Sequence, residues 1–161
     1  MILHAGLLAR RLDRAWAGVL VEGASGAGKS DLALRALDEG FRLVADDRVV
    51  VWACEGRLWG RAPDVLQDLM EVRGLGVVRT PALRFCEIRL VARAGASERM
   101  PEPSAARHLG VRLPLIMIQP LEASAPAKMR RVLEHLGQGQ EGAYQAGFAA
   151  PCSPHRVGIP R

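Results

Sequence analysis

The chain has 161 residues, of which 49% are hydrophobic and 24% charged, the composition of one globular domain with its own core. Its net charge of +5 comes from scattered arginines without basic–aromatic alternation, which argues against a nucleic-acid partner. No apolar run reaches the roughly 18 residues that span a bilayer, and the first residues do not resemble a signal peptide, so we expect no membrane association. Three widely spaced cysteines predict reduced thiols in a cytoplasmic protein, two of them buried.

The first half of the chain predicts alternating strands and helices. WAGVLVEG (16–23) is typical of a buried strand that ends in a glycine. DLALRALDEG (31–40) has one apolar helical face and ends in a capping glycine, and FRLVAD (41–46) predicts a second strand. RVVVWA and RLWG, separated by a turn-like Cys-Glu-Gly, predict a hairpin over residues 48–60.

The second half predicts a short helix, three strands, a polar loop and a final helix. The short helix is expected at 63–70, and the strands are LGVVRT, LRFCEIRLVAR and VRLPLIMIQP. The segment 93–107 is expected to be a mobile polar loop, and PAKMRRVLEHLG (126–137) predicts a helix. Residues 137–161 are rich in Gly, Pro and Gln, and we expect a flexible tail after one folded domain at 1–136.

A glycine-rich segment directly after the first predicted strand matches the phosphate-loop pattern G-x-x-x-x-G-K-[ST]. Its candidate ATP-binding residues are Gly23, Ala24, Ser25, Gly26, Ala27, Gly28, Lys29 and Ser30. Glycines let successive backbone N–H groups face a phosphate, Lys29 can reach the β- and γ-phosphates, and Ser30 is placed to bind Mg²⁺. A coincidental Gly/Ser-rich loop is the alternative, and the strand before it and helix after it argue against that.

Two adjacent carboxylates, Asp46 and Asp47, follow Lys29 by 17 and 18 positions. A helix over 30–39 runs about 15 Å away from the loop, and a strand over 41–46 returns roughly 20 Å. In a β-α-β crossover both aspartates would therefore come back beside Lys29. Adjacent strand residues point to opposite faces, so the two should have different partners. The alternative is that they open a surface turn.

A third candidate segment is MEVRGLGVV (70–78). Glu71 could be a further carboxylate for Mg²⁺, Arg73 follows it, and Gly74 and Gly76 could allow a close backbone approach. A strand entered through a glycine turn explains the pattern equally well.

These three segments together resemble the catalytic domain of HPr kinase/phosphorylase, a bacterial P-loop protein kinase acting on a serine of HPr, the phosphocarrier of the sugar phosphotransferase system. The resembling blocks are GASGAGKS, FRLVADD and MEVRGLGVV, and the likeness covers roughly residues 1–136. It implies an α/β fold with a mixed sheet, flanking helices and a P-loop core of the HPr kinase/PEP carboxykinase type. It also implies the short form without the N-terminal domain of longer members, and a homo-oligomer, a hexamer in those members.

The resemblance assigns roles to individual residues. Asp47 corresponds to the general base for the substrate serine, Lys29 stabilises the transferred phosphoryl group, and Ser30 and Glu71 correspond to the Mg²⁺ ligands. Asp46 is left as a supporting partner of metal or water.

Two further positions, His4 and Arg99, resemble the active-site histidine and loop arginine of the family. One block departs from the pattern: longer members carry P-V-[KR]-x-G-R-N, which is linked to phosphorolysis, where this chain has IQPLEASAPAK. The resemblance therefore implies ATP, Mg²⁺ and an HPr-type protein as partners and leaves the reverse, phosphorylase activity open.

Other classes of P-loop protein compete with this interpretation. A kinase of a small metabolite could use the arginines of segment 93–107 as a lid, although the E-x-R-G-x-G block argues against it. A GTPase would need an N-K-x-D motif, which the sequence lacks. A non-catalytic ATP-binding regulator is the third alternative, and the intact core motifs argue against it.

Overall fold

A curled mixed β-sheet with two helices forms the fold in the computed structural model, which describes residues 1–137. The elements of the first half are β1 (Ile2–Leu3), β2 (Ala5–Leu12), β3 (Ala15–Glu22), α1 (Lys29–Asp38), β4 (Phe41–Ala45), β5 (Val49–Cys54) and β6 (Arg57–Arg61). The second half contains a 3₁₀ turn (Asp64–Leu66), β7 (Leu69–Val72), β8 (Gly76–Arg79), β9 (Cys86–Ala94), β10 (Ser104–His108), β11 (Val111–Ile118) and α2 (Ala125–Gly137).

The main sheet has the strand order β1-β5-β6-β9-β3-β2-β4. Strand β9 pairs with β3 in parallel on one side. On its other side β9 pairs first with β6 in antiparallel and then, over its last residues, with β11 in parallel. Strand β10 pairs with β11 in antiparallel at the edge of this sheet. Strands β7 and β8 form a separate two-stranded hairpin. The mixed sheet with flanking helices confirms the predicted fold class.

Four strands end at one edge of the sheet, which we call the loop edge. Strands β3, β9 and β11 are mutually parallel. Strand β4 runs in the same direction as β3 because both pair in antiparallel with β2, which lies between them. The predicted return of the second strand to the phosphate loop is therefore correct, but an antiparallel strand separates the two.

The two faces of the sheet form two apolar cores, as the period-2 alternation within the strands requires. In β2, Leu8 packs with both helices on one face, whereas Leu7 and Ala9 pack on the other. The helices contribute Leu32, Ala33, Ala36, Met129, Val132 and Leu133 to the first core. Burying each large aliphatic side chain stabilises the fold by about 1.5–3 kcal/mol. These two cores pack against the strands that end at the loop edge.

The predicted polar loop over 93–107 is wrong at both ends. Strand β9 continues to Ala94, and β10 begins at Ser104, so the loop spans only 95–103. The segment SAAR has little intrinsic strand propensity, and its pairing with β11 and the burial of Ala106 override that preference.

The predicted helix over 63–70 is reduced to the 3₁₀ turn. Gln67 adopts an extended conformation with a ψ of 135°, which ends the helical geometry, and Asp68 follows with a φ of 60°. Its carboxylate accepts a hydrogen bond from the N–H of Ala82, which together with Gln67 lowers the pKa of Asp68 below its ordinary value. This bond ties the segment before β7 to the segment before β9.

Cys86 is buried and Cys54 is exposed at the β5–β6 turn, so the expectation that two of the three cysteines are buried stays a prediction that depends on Cys152. Cys152 and the predicted tail, apart from residue 137 at the end of α2, lie outside the described residues. No helix among residues 1–137 is long and apolar enough to cross a membrane.

Candidate active site

The phosphate loop connects the end of β3 to the start of α1. Gly28 has a φ of 93° and caps α1, and its carbonyl accepts the N–H of Leu32. A Cβ atom at this position would lie 2.8 Å from Cδ2 of Leu121, and one at Gly23 would lie 2.6 Å from Cβ of Ala94. Glycine is therefore favoured at both ends of the loop, by backbone conformation at Gly28 and by the close approach of Ala94 at Gly23, whereas the exposed Leu121 side chain could move.

The Lys29 ammonium lies against its own loop. Nζ donates hydrogen bonds of 2.9 Å to the carbonyls of Gly23 and Ala24, and the residue is only 7% exposed. An ammonium has three donors, so one N–H remains for a further acceptor such as a phosphate oxygen. The loop thus holds its single cation at the N-terminus of α1, where the helix dipole also favours an anion.

Asp46 joins the loop to β7. Its Oδ1 accepts the Ser30 hydroxyl at 2.9 Å, and its Oδ2 accepts the backbone N–H of Glu71 at 3.0 Å. The residue is 6% exposed, so these two bonds satisfy a buried carboxylate. The structure therefore brings Ser30, Asp46 and Glu71 together, although Glu71 contacts Asp46 through its backbone.

The Glu71 carboxylate faces away from the core because its neighbours Met70 and Val72 point into it. The donor set at this point, a hydroxyl and carboxylates, consists of the hard oxygens that Mg²⁺ prefers. Among residues 1–137, however, no three His, Cys, Asp or Glu side chains gather closely enough to hold a metal by themselves. The chemistry of the residues fits Mg²⁺ only where other ligands complete its coordination.

Asp47 lies in a tight turn and has partners entirely different from those of Asp46. Strand β4 ends at Ala45, Asp47 has a φ of 63°, and the N–H of Arg48 donates to the Asp46 carbonyl at 2.7 Å. This i to i+2 bond across a positive φ is a γ-turn, a strained conformation found preferentially at functional sites. The predicted divergence of the two aspartates is present, but the turn causes it rather than strand alternation.

The Asp47 carboxylate is held on both oxygens. Nε2 of His4 lies 2.9 Å from Oδ1, and Nη1 of Arg48 lies 2.7 Å from Oδ2. The Asp47 side chain remains 51% exposed. An accessible carboxylate beside a histidine is an arrangement able to accept a proton from an incoming hydroxyl.

The β7–β8 hairpin explains the glycines of the third segment. Gly74 and Gly76 have φ values of 86° and 92°, and the N–H of Leu75 donates to Val72 across the turn. A Cβ atom at either glycine would meet no neighbour within 4 Å, so backbone conformation, not close approach, requires them. Arg73 is exposed at this turn and makes no ion pair within residues 1–137.

Arg99 is not brought into contact with the other candidates. It lies exposed in the loop 95–103, and no hydrogen bond or ion pair connects it to the rest of residues 1–137. The loop does start at the loop edge, because β9 ends there beside β3.

Sequence reasoning missed a charged cluster behind the phosphate loop. Glu22, which immediately precedes Gly23, lies 2.8 Å from Nη2 of Arg93 and 2.8 Å from Nε2 of His108. The histidine contact lacks hydrogen-bond geometry and is an ion-pair distance only. The three residues come from β3, β9 and β10, and no local sequence signal could have brought them together.

Comparison with known proteins shows which kinases this chain is similar to. The family described as HPr Serine kinase C-terminal domain matches residues 10–84, which include the phosphate loop, both aspartates and the β7–β8 hairpin. An HPr kinase/phosphorylase of Streptococcus thermophilus is 51% identical over 67 residues, covering 41% of this chain and 22% of that protein. One of Limosilactobacillus reuteri is 48% identical over 73 residues, covering 45% and 23%. The matched stretch thus spans less than a quarter of the length of these relatives.

The likeness of fold extends over more of the chain. This chain is similar to the solved structure of an Hpr(Ser) kinase/phosphatase from Coxiella burnetii, with a TM-score of 0.69 and 25% sequence identity. The match covers 83% of this chain and 93% of that one. Family match, relatives and solved structure agree with one another and with the P-loop geometry. Residues 10–84 are therefore similar to the HPr Serine kinase C-terminal domain, and the fold over most of the chain is similar to that of an Hpr(Ser) kinase/phosphatase.

Proposed function

We propose that this protein is an ATP-dependent serine kinase of an HPr-type phosphocarrier protein. The observation that carries the proposal is that two adjacent aspartates contact different partners. Asp46 bonds Ser30 of the phosphate loop, whereas Asp47, one residue further, presents an accessible carboxylate beside His4. A phosphate site and a proton acceptor are thereby adjacent, as transfer of a phosphoryl group to a hydroxyl requires.

In the proposed reaction the serine hydroxyl gives its proton to Asp47 as its oxygen bonds to the γ-phosphorus. The bond from that phosphorus to the β–γ bridging oxygen breaks, and ADP leaves with the bonding electrons. In the reverse direction the protonated Asp47 would act as the acid. Such a transfer depends mainly on positioning and charge neutralisation rather than on covalent work by protein groups.

Positive charge at the γ-phosphate would come from Lys29 and, after movement of loop 95–103, from Arg99. Mg²⁺ would be held by the Ser30 hydroxyl and the Glu71 carboxylate, with Asp46 orienting Ser30, and nucleotide phosphates and water would complete its coordination. Bound Mg²⁺ neutralises part of the phosphate charge. His4 would orient Asp47.

The protein substrate is proposed from the relatives, whose names give HPr as the protein acted on. Either a sugar-system HPr or its nitrogen-related counterpart meets this description. We further propose that the protein acts in the cytoplasm, as a homo-oligomer, in the regulation of carbon or nitrogen metabolism. Arg73, Gly74 and Gly76 would shape the hairpin beside the site.

The test is incubation of the purified protein with radiolabelled ATP, Mg²⁺ and purified HPr-type proteins. We expect label on a single serine of one phosphocarrier, and its near-complete loss in Asp47→Asn with ATP binding preserved. Label on a small metabolite would support a metabolite kinase, and binding without turnover would support a regulator. Transfer at the wild-type rate by Asp47→Asn would refute the role of Asp47.

A further inference from the structure

Arg48 also contacts Asp47, the proposed catalytic carboxylate. Its Nη1 donates to Oδ2 of Asp47 at 2.7 Å and to the Asp47 carbonyl oxygen at 3.0 Å. One nitrogen thus bridges the side chain and backbone of the same residue, which fixes the Asp47 side-chain torsions. The γ-turn makes this reach possible, because it folds residue 48 back over residue 47.

The contact is not explained by stability. The Arg48 and Asp47 side chains are 46% and 51% exposed, and ion pairs in such positions contribute little to folding. Other arginines of the described chain, such as Arg42 in β4, are exposed without any ion pair, so exposure alone does not create the contact. What distinguishes Arg48 is its place at the one carboxylate that is both accessible and held by His4.

The arrangement leaves the carboxylate able to accept a proton. Each carboxylate oxygen offers two lone-pair directions. Nε2 of His4 lies at ion-pair distance from Oδ1 and Arg48 donates a hydrogen bond to Oδ2, so at least one direction on each oxygen remains available to a substrate hydroxyl. Two side chains from separate parts of the chain, His4 and Arg48, thus contact the base without blocking it.

We propose that Arg48 is a positioning residue for phosphoryl transfer, which holds Asp47 from the side opposite to His4. The proposal rests on the proposed kinase function, because the readout of positioning is the rate of transfer. Arg48 is expected to affect the chemical step and to leave the nucleotide site unchanged, since it contacts no residue of the phosphate loop.

The experiment compares Arg48→Ala, Arg48→Lys and the matched surface control Arg42→Ala. For Arg48→Ala we expect kcat to fall about ten- to a hundredfold, the effect of misplacing a catalytic group, with KM for ATP within about twofold of wild type. Arg48→Lys, which keeps the charge on a stem one atom shorter, should recover most of the rate. Arg42→Ala should behave as wild type, and all three should melt together.

A crystal structure of Arg48→Ala gives a readout that does not depend on kinase activity. We expect the Asp47 carboxylate to occupy more than one rotamer, whereas a single unchanged rotamer would overturn the proposal. Equal kcat in Arg48→Ala and Arg42→Ala would overturn it too. If the wild-type protein transfers no phosphate to any HPr-type protein, the kinase function fails, and the rotamers still decide whether Arg48 positions Asp47.

Discussion

Replacing each of the two adjacent aspartates by asparagine should separate their roles. Asp46→Asn and Asp47→Asn are isosteric changes, and asparagine tolerates the positive φ of residue 47. Neither change therefore disturbs the backbone. Any difference between the variants must come from the contacts that the two carboxylates make.

The structure gives the size of that difference. Asp46 is buried and accepts two hydrogen bonds, from Ser30 and Glu71. Asparagine keeps one acceptor oxygen, so one donor loses its partner, at a cost of about 1.5–3 kcal/mol for a bond to a charged group. For a chain of this size that is a fall in Tm of roughly 3–12 °C. Asp47 makes exposed contacts, whose loss costs no more than about 1 kcal/mol.

Thermal melts followed by circular dichroism measure the Tm of each variant, and kinase assays measure the rate of phosphoryl transfer. Asp46→Asn should melt clearly below Asp47→Asn, whereas Asp47→Asn should lose about 10²–10⁴-fold in kcat while still binding ATP. Wild-type Tm in Asp46→Asn would show that its carboxylate is not held as the structure describes. A lower Tm in Asp47→Asn than in Asp46→Asn would refute the division of roles.

Three further changes test the site and the core. Lys29→Met should weaken ATP binding about ten- to a hundredfold by calorimetry, because a methionine cannot donate to phosphate; an unchanged Kd would contradict the assignment. Gly23→Ala should melt below Gly26→Ala, since only the first places a Cβ 2.6 Å from Cβ of Ala94 and overpacking costs about 1–3 kcal/mol. Burial raises the pKa of the Cys86 thiol from 9.0 to about 12, so above pH 9 only the unfolded chain ionises it. Stability should therefore fall between pH 9 and about 12 in urea titrations, and less steeply in Cys86→Ala.

The part of the fold that local sequence patterns could predict is the unit from β3 through α1 to β4. Its strand, glycine loop, amphipathic helix and second strand each carry a local signal, and their lengths return Asp46 to the loop. The insertion of β2 between β3 and β4 has no such signal, because pairing partners are set by packing over long sequence separations. Strand β10 was missed for the same reason, since its polar sequence forms a strand only beside β11.

The site shows the same limit in finer detail. The motifs indicated that Lys29, Ser30 and the two aspartates share one edge, and the structure places them there. The contact between His4 and the exposed Asp47 carboxylate depends on the pairing of β1 with β5 and of β2 with β4. No spacing in the sequence encodes these pairings. The contact with Arg48 depends on a single positive φ, which aspartate adopts only when its surroundings impose it.

The γ-turn at Asp47 also explains how two adjacent aspartates, Asp46 and Asp47, come to have different surroundings. Had β4 continued through Asp47, the second carboxylate would have pointed away from the first by strand alternation, with no constraint on its own rotamer. The γ-turn instead ends the strand while Asp46 is still buried against Ser30, and it swings Asp47 to the surface with Arg48 folded back onto it. The two alternatives from the sequence alone, a surface turn and a place beside the glycine-rich loop, are therefore both present in the structure. The strain of a positive φ at a non-glycine residue costs of order 1–3 kcal/mol, which the two cores are large enough to support.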